Sequence, residues 1–160
     1  MSRARKYWLM KSEPDVYSIE DMERDGVGEW EGVRNYQARN FMRDMKEGDL
    51  VLFYHSNTRP PGVAGVVKVV GEARPDATQF DPKSPYYDER AKKDEPRWDV
   101  VDVGHVETFE EPVSLATLKG TKALEGMLIL RKGNRLSVTP VDEPDFKAVL
   151  ELAKAKTRLR

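Results

Sequence analysis

The sequence predicts an α+β domain built as a compact, barrel-like mixed sheet with peripheral helices. Three observations predict it. Apolar, β-branched runs at 50–55 and 63–72 follow one another across a short turn. Amphipathic helical spacing flanks them at 36–45 and 142–156. In the first run Val51 and Phe53 alternate with Leu50, Leu52 and Tyr54, so both faces are apolar and the strand needs cover on both sides.

Each element has its own local reason. A first strand at 6–11 ends at Ser12-Glu13-Pro14. The helix after it begins at Ser18, an N-cap with Asp21 three residues on, and stops at Gly26. In 36–45, Ala38, Phe41, Met42 and Met45 fall at i, i+3, i+4, i+7 on one face, while Arg39 and Arg43 stand i, i+4 on another. Gly48-Asp49 turns the chain into the strand at 50–55, and Ser56 to Gly62, with Pro60 and Pro61, joins it to the next. Gly62, Gly65 and Gly71 mark bends or bulges of a curved sheet.

The polar stretch 74–96 carries Pro75, Pro82, Pro85 and Pro96 and exceeds the ~12–15 residues usual for a structureless loop. It is expected to be ordered against the rest of the chain or to be functional. A strand returns at 98–109 and a short helix at 114–118. The segment 120–135 reads equally as helix or loop. A closing helix at 142–156 repeats the core spacing with Phe146, Val149, Leu150 and Ala153, and Pro144 suits its first turn.

Composition narrows the function classes. The chain has 160 residues, 27 basic and 28 acidic side chains, a net charge of −1 and no cysteine. One domain over 1–160, with its core at about 6–155, fits that length. Without cysteine there is no disulfide, thiolate metal site or cysteine nucleophile, and two histidines, His55 and His105, give little for an imidazole metal site. No metal or cofactor is expected. The longest uninterrupted apolar run is 50–54, far short of the ~18 residues a membrane helix needs, and the apolar residues 7–10 are too few for a secretory signal. A cytoplasmic monomer is the expectation.

Charge is unevenly spread: residues 1–12 hold four basic side chains and no acid, 147–160 hold five basic and one acidic, and 72–111 hold six basic and twelve acidic. Such a bipolar surface permits nucleic-acid contact on one side; solvated charge on an ordinary surface explains it equally well.

Four polar clusters stand where strands end or helices begin: KSEP at 11–14, WEGVRNYQ at 30–37, HSN at 55–57 and PRWDV at 96–100. Each has a plain structural explanation. Ser12 starts a turn, Asn35 caps a helix, Trp30 plugs a core, and His55-Ser56-Asn57 is a polar turn. Together they have a chemical logic. An indole offers a flat face to a nucleobase, worth ~1–3 kcal/mol. Asn presents donor and acceptor in one plane, suited to a base edge. Ser, His and Lys add hydrogen bonds and charge, and Arg34 with Asn35 precedes a helix N-terminus, which attracts anions. An aromatic platform with convergent polar groups is what an extruded base requires.

The segments YWLMKSEP at 7–14, WEGVRNYQARNFMR at 30–43, GDLVLFYHSN at 48–57, TQFDPKSPYYD at 78–88, PRWDVVDV at 96–103 and LEGMLILRKGNRLSVTPV at 124–141 resemble the EVE domain, in order and over 7–154. The resemblance implies a PUA-like fold, related to PUA, ASCH and YTH modules. It implies a non-catalytic module that recognises a modified base, a modified cytosine in DNA first and RNA second, in an aromatic pocket. Carried over, the pocket residues are Lys11, Ser12, Trp30, Arg34, Asn35, Tyr36, His55, Ser56 and Asn57. Trp30 is the expected stacking residue, and Phe80 or Trp98, with Trp98 preferred, is the expected second wall. Glu31 stands where the family often has Asp.

The alternative is a small-anion or nucleotide-binding protein or enzyme using the same pocket. His55-Ser56 is the only adjacent pair suited to nucleophilic catalysis, and strand neighbours point to opposite faces. No glycine-rich phosphate loop, nucleophile elbow or HExxH pair is present.

Overall fold

A computed structural model of the chain describes residues 4–159. Among them the elements run β1 (Tyr7–Ser12), α1 (Ile19–Asp25), β2 (Val27–Trp30), α2 (Tyr36–Asp44), β3 (Leu50–His55), β4 (Gly62–Val69), β5 (Arg74–Pro75), β6 (Asp99–Ser114), α3 (Leu115–Lys119), β7 (Val138–Val141) and α4 (Glu143–Leu152). The seven strands form one mixed sheet in the order β2-β6-β4-β3-β1-β7, with the short β5 on β6. Only β1 and β3 are parallel, Tyr7 opposite Leu50 through Ser12 opposite His55. The path is open, since β2 and β7 are its two ends. Register shifts at Phe53/Tyr54, Val63/Gly65 and Val66/Val67 bend the central strands. The expected α+β architecture, a mixed sheet with helices around it, is what the chain adopts.

β3 has the two apolar faces expected of it. On one side Leu52 and Tyr54 pack with Leu9, Phe146, Val149 and Leu118, under α3 and α4. On the other Val51 and Phe53 pack with Met10, Ile19, Met22, Ala38 and Met42, under α1 and α2. Each fully buried Leu, Met or Phe side chain contributes roughly 1.5–3 kcal/mol. A sheet covered on both faces is thereby fixed in register, because a one-residue slip would exchange the two cores.

The helix signals act as the sequence predicts. Ser18 and Asp21 form a reciprocal capping box on α1, and Gly26, at φ 77°, ends it. Asn35 caps α2, accepting from the Ala38 N–H, and Ala38 and Met42 are buried. α4 carries Pro144 in its first turn and buries Phe146, Val149 and Leu150. It stops at Leu152, four residues before the expected end, where Lys154 turns to φ 55° and the Ala155 N–H closes on the Leu150 carbonyl.

The stretch 74–96 is ordered by two buried polar side chains, Asp76 and Gln79. Gln79 donates from Nε2 to the carbonyls of Asp76 and Trp98, and its Oε1 accepts from the N–H groups of Arg97 and Trp98. One amide thus substitutes for a missing strand partner on both sides of the loop. Segment 120–135 holds only two 3-10 turns, Lys122–Leu124 and Leu128–Leu130. Three strands lack a sequence signal, among them the two-residue β5 at the start of the polar stretch. β2 has Gly28 and only Val27 and Trp30 as apolar residues, and β7 contains Pro140, tolerated because it is an edge strand. Among the described residues no helix is long and apolar enough to cross a membrane.

Candidate functional site

Trp30 is the last residue of β2, held opposite Val101 of β6. Its half-buried indole meets Phe53 edge to face, with ring centroids 5.3 Å apart at 79°. A cavity of about 620 Å³ lies beside it, within the ~300–1,000 Å³ usual for small-molecule pockets. Lys11 and Ser12 at the end of β1, Tyr17 before α1, Glu29 to Arg34, and Tyr86 from the ordered loop contribute to its wall. A second hollow of about 690 Å³, between α4 and the C-terminal residues, contains no aromatic side chain.

The segment after Trp30 is shaped by Gly32 and Arg34. Gly32 has φ 82°, and a Cβ there would fall 2.7 Å from the Tyr86 ring, so the ring packs directly on bare backbone. The Arg34 guanidinium holds Tyr86 in place. Nε and Nη2 donate to the Tyr86 carbonyl at 3.0 and 2.7 Å, Nη2 to Thr78 Oγ1, and Nη1 to the Val33 carbonyl and to Asp76 Oδ2. Its five N–H groups are all committed. Burial pushes the Asp76 carboxyl up, but bonds from Thr78, Gly32 and Arg34 outweigh it and hold Asp76 below the usual carboxylate range.

The wall is rich in carboxylates: Glu13, Asp25, Glu29 and Glu31. Asp25 accepts from the Tyr17 hydroxyl at 2.7 Å, and burial together with that bond raises the phenol to about 12. Glu29 pairs with Arg74 at 2.9 Å. Glu31 accepts no hydrogen bond from the described residues, and burial, then Asp76 and Glu29, push its carboxyl upward. Lys11 likewise has no bonded partner for its ammonium among the described residues, and burial lowers it. An uncommitted donor and an uncommitted acceptor therefore face a hollow with aromatic sides.

Of the expected site residues, the structure brings Lys11, Ser12, Trp30 and Arg34 to this cavity. The others lie outside its wall. Asn35 is spent as the α2 cap. His55 Nε2 accepts from the Ile19 N–H at 3.0 Å, capping α1, and its ring is edge-on to Phe53. Ser56 donates its N–H to the Ser12 carbonyl, and Asn57 is exposed at φ 53°. Tyr36 is 50% exposed and stacks on Trp98, centroids 4.7 Å apart at 25°, on the surface of α2. Trp98 is buried and gives its indole N–H to Asp88, while Phe80 ends the 3-10 turn Ala77–Phe80. The aromatic rings that join Trp30 on the cavity are Tyr17 and Tyr86. Tyr86 follows Ser84-Pro85 in a polar loop with no periodicity; only the unusual length of that loop signals its importance.

A model of the EVE domain matches residues 6–152. Thymocyte nuclear protein 1 of Homo sapiens is 44% identical over 164 residues, covering 91% of this chain and 73% of the relative. A crystal structure of a Pseudomonas syringae protein is 48% identical over 92% of this chain and 99% of that one, with a TM-score of 0.90. A crystal structure of the human THYN1 protein in complex with 5-methylcytosine-containing DNA is 42% identical, covers 95% of this chain and 99% of that one, and has a TM-score of 0.88.

Proposed function

We propose, from the premise that this chain belongs to the EVE-domain family, that it binds DNA and takes a modified cytosine into the cavity beside Trp30. Its fold is the PUA-like α+β arrangement of that family. The observation that carries the reading is the solved complex of the 42% identical THYN1 protein with 5-methylcytosine-containing DNA.

The cavity supports it chemically. The Trp30 indole supplies a stacking face for an extruded pyrimidine, and Tyr86 or Tyr17 the opposing aromatic surface. Cytosine presents an N4 amine donor, which a carboxylate accepts. Among the described residues Glu31 and Glu13 are wall carboxylates with no hydrogen-bond donor, and Lys11 is the uncommitted donor for the ring's acceptor atoms. Four carboxylates on the wall disfavour a small anion as the resident ligand. His55 stands outside the wall with Nε2 already accepting a hydrogen bond, so the reading is of binding without turnover.

A methyl group buried against the wall contributes ~0.8 kcal/mol, a preference of roughly four-fold over unmodified cytosine. Fluorescence anisotropy with otherwise identical duplexes carrying cytosine, 5-methylcytosine or 5-hydroxymethylcytosine, and with the matching RNA, tests this. A several-fold preference for a modified duplex, abolished by Trp30→Ala, is expected. Equal binding to all probes, unchanged by Trp30→Ala, would sink it.

A further inference from the structure

We infer that the exposed side of α2, through Arg39, Arg43 and Arg97, is a phosphate-binding surface for the DNA backbone that flanks the base held in the cavity. The inference rests on the DNA-binding reading above and adds a second site to it.

The net charge of −1 gives the chain no general affinity for DNA, so a phosphate surface must be a local concentration of cations. Arg39 and Arg43 lie one turn apart on α2, and each is close enough for Arg43 to lower the Arg39 guanidinium's proton affinity, after burial. Arg39 Nη1 donates to the Arg97 carbonyl at 2.8 Å, which brings the third cation beside them, and Arg97 Nη1 reaches the Tyr36 hydroxyl at 3.3 Å. Two carboxylates stand at the group: Asp99, buried and bound to Arg43 Nε, and Asp88, which accepts from the Trp98 indole and lies near Arg97. Among the described residues Arg39 and Arg97 form no salt bridge. A guanidinium carries five N–H groups. Arg43 and Arg97 each commit one, which leaves both planar forks open to phosphate oxygens.

The patch is joined mechanically to the cavity. The Arg39 guanidinium lies 4.8 Å over the Tyr36 ring, and Tyr36 stacks on Trp98. Arg34 lies 5.6 Å from both the Trp98 and the Tyr86 rings, and Tyr86 is in the cavity wall. Cations and aromatic rings thus form one packed column from surface to pocket. It sets the distance between a backbone on α2 and a base beside Trp30.

The test is the salt dependence of binding to the methylated and unmodified duplexes. Each phosphate contact contributes a slope of about 0.9 in log K against log salt. Arg39→Gln/Arg43→Gln/Arg97→Gln is expected to lower the slope by about 2–3 and to weaken both duplexes alike, leaving the ratio between them unchanged. Lys119→Gln/Lys122→Gln/Lys147→Gln removes the same charge around α3 and α4, which pack on the opposite face of the sheet, and is expected to leave the slope at the wild-type value. If loss of the Arg43–Asp99 pair unfolds the triple variant, Arg39→Gln/Arg97→Gln is used, with an expected drop of about 1–2. A wild-type slope in the arginine variants, an equal drop in the lysine control, or no duplex binding by the wild type at low salt overturns the inference. A ratio of one in the wild type, with the slope effect intact, overturns the base reading alone.

Discussion

Arg34 and Asp76, 42 residues apart in sequence, are joined by Nη1–Oδ2 at 3.1 Å, with the Asp76 side chain 1% exposed. This pair ties the loop that carries Tyr86 to the segment that carries Trp30. Asp76 also accepts from the Gly32 and Thr78 N–H groups, so one carboxylate organises both sides of the cavity.

Asp76→Asn keeps the size and removes the charge. It leaves Arg34 partly buried without its counter-ion, and a loss of about 2–4 kcal/mol is expected in chemical denaturation. The pH dependence has a definite sign. The folded Asp76 is held below its ordinary 3.8, so its contribution is complete above that value and is lost as pH falls through the lower, folded one. The variant should lack this part of the acid transition.

Trp30→Ala removes the proposed stacking face. Stacking is worth ~1–3 kcal/mol per base, so affinity for a modified duplex should fall roughly 5–150-fold. Trp30→Phe, which keeps a flat ring against Phe53, should retain an intermediate affinity. The thermal midpoint of both variants separates lost binding from lost packing.

Gly32→Ala puts a Cβ into the Tyr86 ring at a backbone angle that alanine rarely adopts. Such strain costs about 1–3 kcal/mol. Gly32→Ala/Tyr86→Ala should recover part of that loss, because the second change removes the clash though not the φ strain. Additive losses in a double-mutant cycle would show that the ring does not rest on Gly32.

His55 must be unprotonated at Nε2 to accept from Ile19, and burial lowers its pKa from the ordinary 6.5. A depressed histidine contributes stability that is complete above 6.5 and is lost as pH falls through the folded value. Denaturation midpoints should therefore decline below about pH 6.5. His55→Gln, which cannot titrate, should flatten that decline.

Local chemistry made much of the chain legible. Ser18, Asp21, Gly26 and Asn35 define helix ends through bonds to residues three or four away, and the alternation from Leu50 to Tyr54 requires two covered faces wherever the partners come from. The same locality explains the misses. β2 has no periodicity because β6, more than seventy residues later, supplies its register. Trp98 and Tyr86 are both aromatic residues near prolines, and nothing in their neighbours tells which one faces the hollow.

Local signals along the chain suffice for a two-faced mixed sheet with capped helices, and the family resemblance for Lys11, Ser12, Trp30 and Arg34 at one site. Only long-range contacts put Tyr86 in the wall, hold His55 against the start of α1 and bury Trp98 beside Asp88. The physical reason is that a helix cap or a strand face is set by bonds within one turn or one pleat. A cavity wall is set by bonds such as Arg34 to Asp76, whose partners meet only after the sheet has closed around its cores.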